Sequence, residues 1–156
     1  MSASMRALAV TLREVTRHNI QALMNLDAGD GGHLVASNAK SMAQAAVYPE
    51  AWPRAIYAAE APVGFAMLYD PSRVADPEEP EFFLWRLMVD RDWQGRGIGL
   101  AALRLVIEHV HTRPHLGEMF TSIVEPAPQL LDFYGRAGFE PIDRYVDGER
   151  VLRLFL

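Results

Sequence analysis

Between Phe82 and Val89 the chain is apolar at every position except Arg86. An unbroken run of this length predicts a strand buried on both faces. From Leu100 onward the pattern changes period. Leu100, Leu103, Ile107 and Val110 fall at helical spacing, with Arg104 and Glu108 between them, which predicts an amphipathic helix. The two patterns are joined by a polar turn, Asp90 to Trp93, and then by Gln94–Gly95–Arg96–Gly97–Ile98–Gly99.

The same reading covers the rest of the chain. Leu8 to Val15 alternates as an opening strand, and Thr16 is placed to cap a helix from Arg17 to about Leu26. Asp27 to His33 carries three glycines and reads as a loop. Ser37 or Asn38 caps a second helix that runs to about Tyr48. Pro49 to Pro53 reads as a break. Arg54 to Ala59 and Val63 to Tyr69 read as two strands joined by a short turn. Asp70 to Glu81, rich in proline and acidic residues, is a loop. After the central helix come a turn at Pro114–Gly117, a strand from Met119 to Val124, and a helix that starts at Pro126 or Pro128 and stops near Gly138. Phe139 to Val146 and Arg150 to Phe155 form a hairpin closed by Asp147–Gly148.

A strand, a glycine-rich turn and a helix N-terminus make an anion site. The first amides of a helix lack intrahelical partners, and the dipole adds positive charge there. Glycines let the backbone approach a phosphate. Gln94 to Gly99 is therefore the candidate for a phosphate or pyrophosphate. The spacing fits neither the dinucleotide fingerprint nor the P-loop, since no third glycine follows at the right offset and no Gly-Lys pair is present.

At 156 residues the chain has the length of one domain, spanning 1–156. It contains no cysteine, which excludes disulfides, thiol catalysis and cysteine-based zinc sites. The N-terminus lacks a signal-peptide run and no segment is apolar for long enough to span a membrane, so the expectation is a cytoplasmic protein with no membrane partner. Its formal net charge of −5 argues against nucleic acid as a partner and suits a cationic small molecule. The five histidines show no metal-binding spacing, so no metal is expected; His109 and His111 read as cations at a helix C-terminus.

The pattern Q-x-x-G-x-G at Gln94–Gly99, after a strand ending Met88–Val89–Asp90, resembles the acetyl-CoA-binding loop of the GNAT superfamily of N-acetyltransferases. Leu131 to Phe139 resembles that superfamily's L-Y-x-x-x-G-F helix end. The segments around His33–Ala45, Ala55–Ala58, Val63–Met67 and Leu84–Met88 are similar to the branch of spermine/spermidine or diamine N-acetyltransferases. The resemblance implies a mixed α/β GNAT fold: a six- or seven-stranded, largely antiparallel sheet flanked by helices, with splayed central strands. It also implies acetyl-CoA as co-substrate, a small-molecule amine (a polyamine or diamine) as acceptor, and by analogy a homodimer.

Residue by residue, the resemblance places the pantetheine arm against Leu87, Met88 and Val89 and the pyrophosphate on Gln94, Gly95, Arg96, Gly97, Ile98 and Gly99. Met88 or Val89 supplies an oxyanion donor from its N–H. Arg96 either contacts phosphate or is a solvated arginine. Tyr134 is the expected general acid for the departing thiolate. Asp27 and His33 lie in the loop that covers the acceptor in the family. Trp85 and Arg86 either line the acceptor cleft or form a buried aromatic–arginine pair. Two positions depart from the family pattern: Ala127 stands where an asparagine often contacts the cofactor, and no glutamate occupies the middle of the central strand. The general base is thus open among Glu81, at the head of that strand, Asp27, Glu125, His33 and a water chain. Two alternatives to a small-molecule enzyme stand beside this reading, a non-catalytic acyl-CoA sensor of the same fold and an acetyltransferase for protein amines.

Overall fold

The computed structural model describes residues 8–29 and 37–156. Its frame is one seven-stranded sheet in the order β1-β2-β3-β4-β5-β7-β6. The strands are β1 (Val10–Arg13), β2 (Ala51–Ala58), β3 (Ala61–Tyr69), β4 (Phe82–Val89), β5 (Glu118–Ile123), β6 (Glu140–Val146) and β7 (Glu149–Phe155). All neighbours pair antiparallel except β4 and β5. The helices are α1 (Ile20–Met24), α2 (Asn38–Ala45), α3 (Ile98–His111) and α4 (Pro128–Arg136). Two hydrophobic clusters lie on the two faces. The larger packs Ile98, Ala102, Leu103, Val106 and Val110 of α3, with Tyr134 of α4, onto the sheet. The smaller gathers Phe65, Met67 and Met88 with Met42, Ala45, Tyr48 and Trp85.

Element order agrees with the pattern reading, and boundaries move for local reasons. The first helix is shorter than expected. Asn19 rather than Thr16 stands before it, because the Asn19 carboxamide oxygen accepts the Thr16 N–H at 2.8 Å and holds the preceding residues in a turn. Ser37 caps α2, its hydroxyl accepting the Lys40 N–H at 3.2 Å. The break expected at Pro49–Pro53 is instead the start of β2. Pro53 pairs with Met67 on one side, while β1 pairs only with Ala55 to Ala58. Its missing N–H therefore falls beyond the end of β1 and costs no ladder bond.

The expectation that β4 is buried on both faces is corrected. Phe82, Leu84 and Met88 are buried, but Phe83, Trp85, Arg86, Leu87 and Val89 are only half-buried. Both faces of this strand open into clefts. The register against β3 shifts between Met67 and Leu68, leaving Trp85 as an extra residue. This bulge turns Leu84 and Leu87 toward α3 and Trp85 and Arg86 toward α2. At the far end of α3, His109 does more than complement a dipole. Its Nε2 lies 3.3 Å from the buried Asp70 carboxylate, and its ring stacks on Trp52 at 3.9 Å.

Candidate active site

The parallel pairing of β4 and β5 covers only Phe82–Leu84 against Met119–Thr121. The Thr121 hydroxyl donates to the Leu84 carbonyl at 3.0 Å and ends it. Beyond this point β4 stays on β3 through Val89, paired with Gly64, while β5 follows β7. The two strands splay, as expected, and the β5-side edge of Leu87–Val89 is left without a strand. Gly64 holds β4 in place: a Cβ there would stand 2.4 Å from the Met88 carbonyl.

On the α3 side of the splay lies a cleft of about 740 Å³. Leu87, Met88, Val89, Gln94, Gly95, Gly97, Ile98 and Gly99 line it, facing Leu130, Phe133 and Tyr134 of α4. Gly95 and Gly97 have φ of 77° and 78°, a region that L side chains avoid. No atom lies within 4 Å of where their Cβ atoms would be. The first intrahelical bond of α3 runs from the Ala101 N–H to the Gly97 carbonyl, so the amides of Ile98, Gly99 and Leu100 remain free. The loop thus has open space, unpaired donors and a helix dipole at one point.

Two expected ligand residues have structural work. The Gln94 side chain donates to the Ala28 carbonyl at 2.8 Å and the Val89 carbonyl at 2.9 Å, tying the end of α1's loop to the end of β4. Arg96 lies outside the cleft lining. Its guanidinium sits 4.9 Å above the Trp93 ring and donates to the Asp92 carbonyl.

Tyr134 sits at the apex of the splay, in edge contact with Phe133 and Phe139. It is only 7% exposed. Burial pushes its phenol up to about 12, with a smaller opposing influence from the neighbouring Thr121 hydroxyl. Ala127, at the asparagine position, is 1% exposed and packed in the core, so it presents nothing to the cleft.

A second cleft, of about 580 Å³, opens on the α2 side of the same strands. Trp85 forms one wall, with Tyr48 edge-on at 5.3 Å and Tyr69 at 5.1 Å. Glu78, Glu79, Glu81, Asp147 and Glu149 line it, against Lys40, Arg86 and Arg144. The acidic segment is pinned to the sheet by the Tyr69 hydroxyl. It accepts the Glu79 N–H at 2.8 Å and lies 3.2 Å from the buried Glu50 carboxylate. Burial, chiefly, raises the Tyr69 phenol.

Of the sequence candidates, Trp85 and Glu81 reach this second cleft. Glu81 is ion-paired with Arg144 at 3.0 Å. Arg86 lines the same cleft, half-buried, and donates to the Trp85 carbonyl and to Gln44 Oε1. Asp27 lies apart, its carboxylate accepting the Gly29 N–H and facing Arg91. Glu125 faces Arg150 at 3.9 Å. His33 lies outside the described residues. Pattern reading missed Tyr48, Tyr69, Ser122 and Glu149. The one available signal was Ser122, a polar residue beside Thr121 in an apolar strand, whose alternation sends the two to opposite faces.

The acetyltransferase (GNAT) family model matches residues 21–139, which include both halves of the splay and the Tyr134 helix. The chain belongs to the acetyltransferase (GNAT) family. No curated protein sequence matches it. Among solved structures, the fold is similar to a GNAT family acetyltransferase from Elizabethkingia anophelis with acetyl-CoA bound. That match has a TM-score of 0.65 and 14% identity, over 96% of this chain and 99% of that one. It is also similar to the aminoglycoside acetyltransferase AAC(6')-Ib in complex with coenzyme A, with a TM-score of 0.75 and 19% identity over 94% and 95%. The ribosomal-protein-S18-alanine N-acetyltransferase from Escherichia coli matches with a TM-score of 0.70 and 16% identity over 94% of each chain.

As a GNAT acetyltransferase the protein uses acetyl-CoA, and the α3-side cleft fits that substrate. The open cradle at Gly95 and Gly97 and the free amides of α3 suit a pyrophosphate. The unpaired edge of Leu87–Val89 suits the amides of a pantetheine arm. Among the described residues no group of three or more His, Asp or Glu is arranged to hold a metal. No helix among them is long and apolar enough to cross a membrane.

Proposed function

We propose that the protein transfers the acetyl group of acetyl-CoA to a primary amine of a small cationic molecule, a diamine or polyamine. The observation that carries this is the α2-side cleft, which opens on the other side of β4 from the α3-side cleft and offers five carboxylates beside the aromatic wall of Trp85, Tyr48 and Tyr69. Carboxylates hold ammonium groups by charge-assisted hydrogen bonds, and aromatic faces attract the same cations. With Glu81 offset by Arg144, the cleft keeps an excess of negative charge that draws in cations.

In this reading the acceptor enters from the α2 side with its distal ammonium among Glu78, Glu79 and Glu81. The reacting nitrogen approaches the thioester through the gap between β4 and β5. The N–H of Met88 or Val89 receives the developing oxyanion. Tyr134, on the opposite side of the gap, protonates the leaving sulfur. Its phenol is less acidic than a free one, but a thiolate expelled into the same dry apex has its own proton affinity raised by burial, so donor and acceptor stay matched.

The test is acetyl-CoA turnover across spermine, spermidine, putrescine, amino acids, an aminoglycoside and a lysine peptide, with products identified by mass. Acetylated polyamine or diamine is expected. Turnover confined to the aminoglycoside or the peptide would overturn the acceptor assignment. Binding of coenzyme A without turnover of any amine would replace the enzyme by a sensor.

A further inference from the structure

An acceptor ammonium must lose a proton before its nitrogen attacks, and the sequence candidates among the described residues are engaged elsewhere. Glu81 is bound to Arg144 and precedes the end of the β4–β5 pairing by three residues, about 10 Å along the strand. Asp27 is engaged with Gly29 and Arg91. At the splay, however, β5 presents two adjacent residues to opposite faces. Thr121 turns to the α4 side, beside Tyr134. Ser122 turns to the acceptor cleft, where its hydroxyl donates to Glu149 Oε1 at 3.3 Å. Glu149 is half-buried at the start of β7. Among the described residues its other oxygen accepts no hydrogen bond, and no cation pairs with it within 4.0 Å.

We propose that Glu149 is the general base, taking the proton from the acceptor ammonium across the splay from Tyr134. The assignment rests on the acceptor reading above. Ser122 holds one carboxylate oxygen, which leaves the other for the substrate. Among the described residues Arg86, on the β4 side of the gap, has no carboxylate partner; its guanidinium donates to neutral acceptors and its Nε is buried without one. Burial, chiefly, lowers the Arg86 guanidinium, and the Glu149 carboxylate is the one charge that opposes this. The remaining charges around the cleft are Lys40 from α2, the acidic residues 78, 79 and 81 ahead of β4, and Arg144 and Asp147 at the β6 end.

The step balances. Glu149 takes one proton from R–NH3+. The freed nitrogen pair forms the C–N bond at the thioester carbon, and the C–S bond breaks with its pair on sulfur. Sulfur takes the Tyr134 proton. The second nitrogen proton returns to the tyrosinate, and Glu149 releases its own to water, so one proton leaves per turnover.

Initial rates with spermidine at saturating acetyl-CoA, from pH 6 to pH 10, test this. Glu149→Gln preserves the side-chain volume and the acceptor for Ser122. It should lower kcat/KM about 10²–10³-fold at pH 7 and recover toward wild type as pH nears the amine's own pKa of about 10. Acetyl-CoA affinity should stay unchanged, and Glu149→Asp should restore part of the activity at neutral pH. Glu81→Gln should raise the acceptor KM without altering the shape of the profile. A Glu149→Gln profile like that of wild type, or a loss equal at every pH, overturns the assignment while leaving the polyamine reading intact. A wild-type protein inert toward every amine overturns both.

Discussion

Tyr134 shows how burial and chemistry combine in one side chain. Its ring is core, wedged between Phe133 and Phe139, while its hydroxyl meets Thr121 where the strands part. A phenol at about 12 stays protonated through the whole working range of pH. Its loss of a proton therefore adds no limb to the rate profile below about pH 10. Tyr134→Phe removes the donor and keeps the ring. We expect kcat to fall about 10²–10⁴-fold with acetyl-CoA affinity retained, as read by single-turnover rates alongside equilibrium binding. An unchanged kcat would move the proton donor elsewhere.

At the scale of elements, the site is a consequence of β4 losing a neighbour. Three parallel pairs bind β4 to β5 and then stop, so a strand of ordinary apolar composition acquires two open faces and one free edge. The α3 N-terminus adds donors at the end of that edge. Gly97→Val tests this junction, since φ of 78° disfavours a β-branched residue and the new side chain would occupy the cradle. The expected result is a rise of about tenfold or more in the KM for acetyl-CoA, with the acceptor KM nearly unchanged. Folding should weaken by about 1–2 kcal/mol, read by urea denaturation. An unaltered KM would mean that the phosphates bind elsewhere.

This junction was legible in the sequence because its signals are local. An apolar run, alternate glycines and a helical period lie within thirty contiguous residues, and each carries its own geometry. The Tyr134 segment was legible for the same reason. The acceptor half was not. Trp85 and Glu81 sit near β4 in sequence, but their cleft is completed by Tyr48 from the end of α2, Ser122 from β5 and Glu149 from the last hairpin. No short pattern joins residues so far apart. Pro53 misled for a related reason. A proline reads locally as a break, yet its place past the end of β1 depends on which strands are neighbours.

For the molecule as a whole, the sheet is a partition with one gap. In the proposed reading the acyl donor lies on the α3 and α4 side, the acceptor on the α2 side, and the two substrates meet where β4 and β5 part. The proposed chemistry needs an acid on one face and a base on the other, the roles given to Tyr134 of α4 and Glu149 of β7, which lie beside the adjacent β5 residues Thr121 and Ser122. The acidic 70–81 segment, pinned through Tyr69 to the buried Glu50, gives the acceptor side its charge. The most direct measurement compares initial rates of coenzyme A release for a diamine and for a monoamine of equal length, at low and at raised salt. Carboxylates that hold a distal ammonium should make kcat/KM for the diamine about tenfold higher or more, corresponding to one charge-assisted contact of about 1.5 kcal/mol, and the advantage should shrink as salt screens it. Equal rates for the two amines, indifferent to salt, would contradict the account.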